Sequence, residues 1–410
     1  MRIVLAGSTF FRSGGGIATY NRELAKSLLQ AGHQLYIVTA EKGVECRNQL
    51  LNWPILSGLH FTEIPHKVRQ EIQVVEAMFN AICKFDPNVL ISSDHIYLTS
   101  LFPCFADHRI RIGISHFYDG LLPKTTAFRP KHTDWIIVLS NAGKEFVLGL
   151  PSVVSHQVKV LYNSVEDYDI PFDNLLKIKQ KDMEFKIVYP GGANRQKSPD
   201  VVCKLVKYLT DLPQPWKLIW LGSSNIYQKK LKDKFKDEIL FTGLIPQQHA
   251  ADYIRDAHCL LLPSRGEGCP MSMLEAMRAG TIPLVSSCPS AMRELIDHGE
   301  SGYVFDRTDI PGFSRAIHDI AGSEQLRTKL CKGARRTYEK TLKKEIWFEQ
   351  MIQMFNPRQD RAKGPATDIF IPQLAVRWAE RQGRWYRPTI PYLRARFAYP
   401  NLNPLIKHKD

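Results

Sequence analysis

Short apolar runs recur along the chain, separated by more polar stretches. Between them, apolar residues return every three or four positions. RIVLAG (residues 2–7) predicts a first strand, and residues 17–30 predict a helix carrying Leu24 and Leu28 on one face. QLYIVTA (34–40), NVLISS (88–93), IRIGIS (110–115), DWIIVLS (134–140) and QVKVLYN (157–163) predict further strands, with a helix before NVLISS. Short apolar runs separated by helices suit a parallel sheet buried on both faces. Residues 163–185 are polar with no sustained period and predict a linker. The pattern then restarts with KIVYPGG (186–192), KLIWLGSS (217–224), ILFTG (239–243), HCLLLPS (258–264) and IPLVSS (282–287), separated by helices of which the first opens near Ser198. Two such series predict an α/β protein of two Rossmann-like, doubly wound domains. Ligands are then expected beyond the carboxyl ends of the strands, in the cleft between the domains.

Composition narrows the class without naming a function. The 410 residues are 44% hydrophobic and 23% charged, a globular mixture long enough for two domains. No apolar run reaches the ~18 residues of a membrane-spanning helix, and the opening MRIVLAG reads as a strand, unlike a signal peptide. The eight cysteines (46, 83, 104, 203, 259, 269, 288 and 331) are scattered without zinc spacing, which predicts free thiols in a reducing, cytoplasmic setting. The net charge of +14 is uneven. Residues 357–410 hold eleven Lys/Arg against four Asp/Glu, which favours an anionic partner for the tail.

The most informative stretch is SRGEGCPMSMLEAMRAG (264–280), in which Glu267 and Glu275 stand with seven residues between them. Pro270 suits the first turn of a helix that runs to Ala279 and stops at Gly280. Glu267 then lies in the loop after a strand, Glu275 inside the helix, and the amides of residues 269–272 at the helix start, where they lack intrahelical acceptors. Carboxylates and free amides so placed suit a polyhydroxylated ligand; the alternative is a loop charge and a solvated helix residue. Elsewhere, Gly15 and Gly16 precede a helix and allow close backbone approach and positive φ, as an anionic diphosphate at a helix N-terminus would need. Arg195 and Lys197 follow the first strand of the second series, and His116 follows a strand of the first. Asp94 has a similar strand-end position but a weaker claim, and stays outside the catalytic set. No His cluster has metal spacing, and no metal and no cofactor is expected.

The run P-S-x-x-E-G-x-x-x-S-x-L-E-A, with GTIPLVSS, RELIDHGESGYVF and Asp306 after it, resembles glycosyltransferase family 4, retaining nucleotide-sugar enzymes of GT-B fold. The resemblance covers about residues 1–356. It implies that Glu267 contacts the donor sugar and Glu275 the nucleotide ribose, with the loop at Cys269, Pro270, Met271 and Ser272 also against the sugar. It further implies that Arg195 and Lys197 hold the donor diphosphate, neutralising charge on the leaving group. Gly15 and Gly16 would face that diphosphate, and His116 would contact the sugar near the reacting centre. EGCPMS departs from the Phe-Gly pair frequent in the family, and the Arg195–Lys197 spacing is short. No two carboxylates are placed as in a retaining glycosidase. The family mechanism is instead a front-face substitution in which the leaving diphosphate helps deprotonate the acceptor.

The expected arrangement is residues 1–170 as the acceptor-side domain, 171–340 as the donor-side domain, 341–356 as a helix returning to the first, and 357–410 as a basic aromatic extension. A helix from Pro372 would set Leu374, Trp378 and Trp385 beside Arg377, Arg381 and Arg384, a pairing suited to an anionic membrane surface. The alternative is that these aromatics dock on the protein itself or on a second subunit. The expected function is transfer of a sugar, from UDP first and GDP-mannose second, to a glycan or lipid-linked acceptor in surface polysaccharide or lipopolysaccharide synthesis, peripheral on the inner membrane face. A nucleotide-sugar epimerase lacks assembled acid–base residues. A catalytically silent GT-B protein that binds glycans or serves in assembly is the alternative from another class. A nucleic-acid binder rests on charge alone and has no recognisable module. Oligomeric state is not legible.

Overall fold

The computed structural model describes residues 1–7, 15–39, 59–63, 71–105, 108–127, 130–223, 225–231 and 234–357. The chain divides into two compact units. The first comprises Met1–Val138, Gly143–Val160 and the chain from Met351; the second comprises Leu139–Ala142 and Leu161–Gln350. The basic aromatic tail beyond Pro357, its membrane-facing stripe and Cys46 lie outside the described residues.

The first unit is built on a parallel sheet of seven strands in the order β3-β2-β1-β4-β5-β6-β7. In chain order these are β1 (Arg2–Gly7), β2 (Gln34–Thr39), β3 (Leu59–Glu63), β4 (Val89–Ser93), β5 (Ile110–Ser115), β6 (Trp135–Val138) and β7 (Val158–Val160). The central strands β4 and β5 are buried at every position, including Arg111 of β5, which lies beside the buried Asp134. β3 is not among the predicted strands: LHFTE has only two apolar residues, Leu59 and Phe61, too few to stand out as an apolar run. Leu28 on the helix Gly16–Gln30 and Ile82 on the helix Glu71–Phe85 are fully buried, so the helices close their apolar stripes within the unit.

The second unit repeats the plan with six parallel strands in the order β10-β9-β8-β11-β12-β13. They are β8 (Phe185–Tyr189), β9 (Trp216–Leu221), β10 (Ile239–Gly243), β11 (Cys259–Leu262), β12 (Ile282–Ser286) and β13 (Tyr303–Phe305). In both sheets the chain order reverses beside the unit's first strand, the switch point at which open α/β sheets leave a crevice. This is the α/β, Rossmann-like plan predicted for each half.

The stretch predicted as linker contains a helix, Phe172–Lys181. Its inward face is Leu175, Leu176 and Lys179, with Ile178 exposed, so the apolar period is broken by a buried lysine. The Lys179 ammonium donates to the carbonyls of Arg255 and Ala257 and to the Thr281 hydroxyl. Three acceptors are what lets an ammonium sit where a leucine would normally stand. The residues before this helix are also fixed: Arg335 grips Asp167 through both guanidinium nitrogens at 2.7 Å, and Arg278 stacks 3.7 Å over the Tyr168 ring. All seven described cysteines are free. No helix among the described residues is long and apolar enough to cross a membrane.

Candidate functional site

In the second unit the loops after β8 and β11 carry the predicted residues. Tyr189, the last residue of β8, is buried, and its hydroxyl donates forward to the Lys197 carbonyl at 3.1 Å. Gly191 is required by that reach, because a Cβ there would lie 2.0 Å from the tyrosine oxygen. The Trp220 indole donates to the Gly192 carbonyl (3.1 Å), and the Asn194 side chain accepts from the Gln196 amide (2.9 Å), capping the short turn Arg195–Lys197. Ser198 closes that turn at φ +54, an uncommon conformation for a residue with a Cβ.

The two loops are stitched together residue by residue. The Arg265 amide donates to the Gln196 carbonyl (2.7 Å), the Gln196 side chain to the Gly266 carbonyl (2.6 Å), and Lys197 Nζ to Glu267 Oε1 (2.6 Å). Lys197 and Glu267, predicted from separate motifs, therefore form one ion pair whose side chains are only 20% and 9% exposed. Mutual neutralisation lets both charges persist with little water. The Arg195 side chain is exposed and makes no ion pair or hydrogen bond among the described residues, while its carbonyl accepts from Arg265 Nε (3.2 Å). Arg265 thus brings a second guanidinium to the same turn. The sequence reading missed it, although it stands inside the quoted motif.

The helix after this loop runs Met271–Ala279 and ends at Gly280 in the left-handed conformation (φ +67). Pro270 is the N-cap, one residue earlier than predicted. Having no N–H, it cannot be a donor, and the available amides are those of Cys269, Met271 and Ser272. Asn163 holds the loop by donating to the Cys269 carbonyl at 2.6 Å. Glu275 is buried on a helix of which seven of nine residues are buried. Desolvation pushes its carboxyl up to about 7, opposed by the Arg278 charge and a hydrogen bond with Gln247. The two carboxylates of the motif thus occupy different environments: Glu267 is ion-paired and Glu275 is desolvated.

In the first unit, Gly15 caps the helix Gly16–Gln30 with φ +153 and open space where a side chain would project. Gly16 has no positive φ, so the conformational need falls on Gly15 alone. His116 directly follows β5. Its amide donates to Asp94 Oδ2 (3.0 Å), its Nε2 lies 2.9 Å from Ser93 Oγ, and the Tyr20 ring meets it edge-on at 4.7 Å. Burial pushes the imidazole down to about 3 and the Asp94 carboxyl up to about 7. Asp94 sits at φ +48 and also accepts from the Thr126 hydroxyl at 3.4 Å, so in this fold it buttresses the residue that sequence reading ranked above it. Among the described residues no group of three His, Cys, Asp or Glu could hold a metal ion.

Residues 172–337 match the family described as Glycosyl transferases group 1, a span that includes the stitched loops and both glutamates of the motif. The chain is 23% identical over 332 residues to the lipopolysaccharide 1,6-galactosyltransferase of Escherichia coli, covering 76% of this chain and 86% of that protein. It is 21% identical over 393 residues to the N-acetyl-alpha-D-glucosaminyl L-malate synthase of Bacillus anthracis, covering 87% and 98%. Among solved structures it resembles Anabaena HepE in complex with UDP, with a TM-score of 0.68, 14% identity, and 86% and 99% of the two chains covered. The fold is GT-B, and the segment 172–337 within it is similar to the glycosyl transferases group 1. In this GT-B protein the matched segment lies wholly within the second unit, where the stitched turn and the Met271–Ala279 helix stand.

Proposed function

We propose that the protein is a retaining glycosyltransferase of family 4 type, moving a sugar from a nucleotide donor to a glycan or lipid-linked acceptor in surface polysaccharide or lipopolysaccharide synthesis. The observation that carries this reading is the Lys197–Glu267 pair on two mutually bonded loops, beside a helix start that offers free amides. A bound donor would meet a cation for its diphosphate and a carboxylate for its sugar hydroxyls on one rigid platform. Arg195, exposed at the same turn, is a second cation for the diphosphate, and Arg265 is a third. Glu275 is assigned the ribose and His116 the sugar. The acceptor oxygen attacks the anomeric carbon as the bond to the diphosphate breaks, and the acceptor proton passes to a diphosphate oxygen. No metal or cofactor has a place in this scheme, because Lys197, Arg195 and the amides meet the leaving charge. The neighbour's bound UDP supports a UDP-sugar, with GDP-mannose second, and the lipopolysaccharide 1,6-galactosyltransferase among the relatives supports a role in surface-glycan synthesis.

Calorimetric titration with UDP and with GDP, on the native protein and on Glu275→Ala, tests the reading. Saturable binding of one nucleotide, weakened at least tenfold by the substitution, supports it. Absence of binding by a folded sample replaces it with a catalytically silent GT-B protein.

A further inference from the structure

The contact between Ser93 and His116 fixes more than the position of a ring. Neutral imidazole has one donor nitrogen and one acceptor nitrogen, and the partner of the first nitrogen decides what the second presents. Ser93 is the last residue of β4 and fully buried, and its Oγ lies 2.9 Å from His116 Nε2. That nitrogen is the one partner of the Ser93 hydroxyl among the described residues. Were Nε2 protonated, the hydroxyl would accept from it and leave its own hydrogen inside the protein without an acceptor. With the hydroxyl donating to Nε2, every buried proton is used and only a lone pair goes unfilled. Proteins tolerate an under-used acceptor far better than an orphaned donor.

The remaining nitrogen, Nδ1, has no partner among the described residues and is not sealed from solvent. Asp94 does not compete for it, because that carboxylate takes the His116 backbone amide. We propose that Ser93 is a positioning residue that locks His116 as the Nδ1–H tautomer, so that the ring offers its ligand a neutral hydrogen-bond donor. A sugar oxygen is the acceptor this would suit, which rests on the function proposed above. A neutral donor also brings no positive charge against a sugar that becomes electron-poor as its bond to the diphosphate breaks.

The full-length protein is labelled with nitrogen-15 in its histidines, and the ring signals are recorded at neutral pH without nucleotide. His116 is assigned by comparison with His116→Gln. A pyridine-type Nε2 and a protonated Nδ1 in the native protein are expected. In Ser93→Ala the pattern shifts to the Nε2–H form or to a mixture, and Ser93→Thr, which keeps the hydroxyl, retains the native pattern. A protonated Nε2 in the native protein overturns the proposal, as does an unchanged Nδ1–H spectrum in Ser93→Ala. The readout needs no turnover, so failure of UDP and GDP to bind would end the functional reading while this result still decides the role of Ser93.

Discussion

The strand ends of the two units solve opposite electrostatic problems. In the first unit Ser93, Asp94, His95 and His116 are all buried, and burial holds both imidazoles neutral, His116 down to about 3 and His95 down to about 4. In the second unit Lys197 and Glu267 form an ion pair, with Arg195 and Arg265 exposed at the same turn. The first end offers shape and neutral hydrogen bonds, and the second offers charge. A reaction that expels a diphosphate should therefore depend far more on the second. Lys197→Ala is expected to lower the transfer rate by about 10²–10³-fold, the usual loss when a preorganised group facing developing charge is removed. His116→Gln, which loses one neutral hydrogen bond, is expected to cost only about tenfold. It should leave the pH profile above pH 5 unchanged, because the imidazole it replaces is neutral there. Initial rates with the nucleotide sugar identified by calorimetry decide it, and the reverse ranking would break the contrast.

Legibility in the sequence follows the same division. Strands buried on both faces are visible as short, mostly apolar runs, and Glu267, Glu275 and Lys197 stand in motifs with recognisable spacing. What escaped were residues whose role depends on a partner far along the chain. Gln196 and Arg265 join two loops some seventy residues apart, and neither residue type signals that alone. Ser93 reads as a small polar residue ending a strand, and its partner His116 stands just past the end of the neighbouring strand. Lys179 concealed a helix because charge at an inward position destroys the apolar period, and only the folded chain shows its three acceptors. Pro270 was placed correctly near a helix start, but its missing N–H removes it from the amides that the motif was read to supply.

Glu275 sharpens the comparison, because it is the group in the charged unit that behaves like those in the neutral one. Its folded carboxyl is pushed up to about 7 by burial, above the ordinary glutamate value. Between those two pH values the folded state binds more protons than the unfolded state, so stability falls as pH rises through the window. The penalty is absent below the ordinary glutamate range and complete above about pH 7. Glu275→Gln, neutral at every pH, should therefore unfold at a higher temperature than the native protein at pH 8, by up to about 3 kcal/mol in stability. At pH 4 the two should match. Thermal melts at both pH values test this, and an equal difference at the two would show that packing, and not ionisation, distinguishes the proteins.

The smallest effect expected is that of the hydroxyl under the charged turn. Tyr189→Phe removes the bond to the half-buried Lys197 carbonyl, at a cost of about 0.5–1.5 kcal/mol. Because the ring still fills the space, the turn should keep its shape, and nucleotide affinity should fall only a few-fold. Gly191→Ala is the informative contrast. Its added Cβ would lie 2.0 Å from the Tyr189 oxygen and 2.1 Å from the ring carbon that bears it. Removing the hydroxyl therefore does not make room, and Gly191→Ala should disrupt the turn equally in the native and Tyr189→Phe backgrounds. If the double variant instead recovers nucleotide affinity, the oxygen alone sets the clash, and the ring is free to move as the charged unit's turn is not.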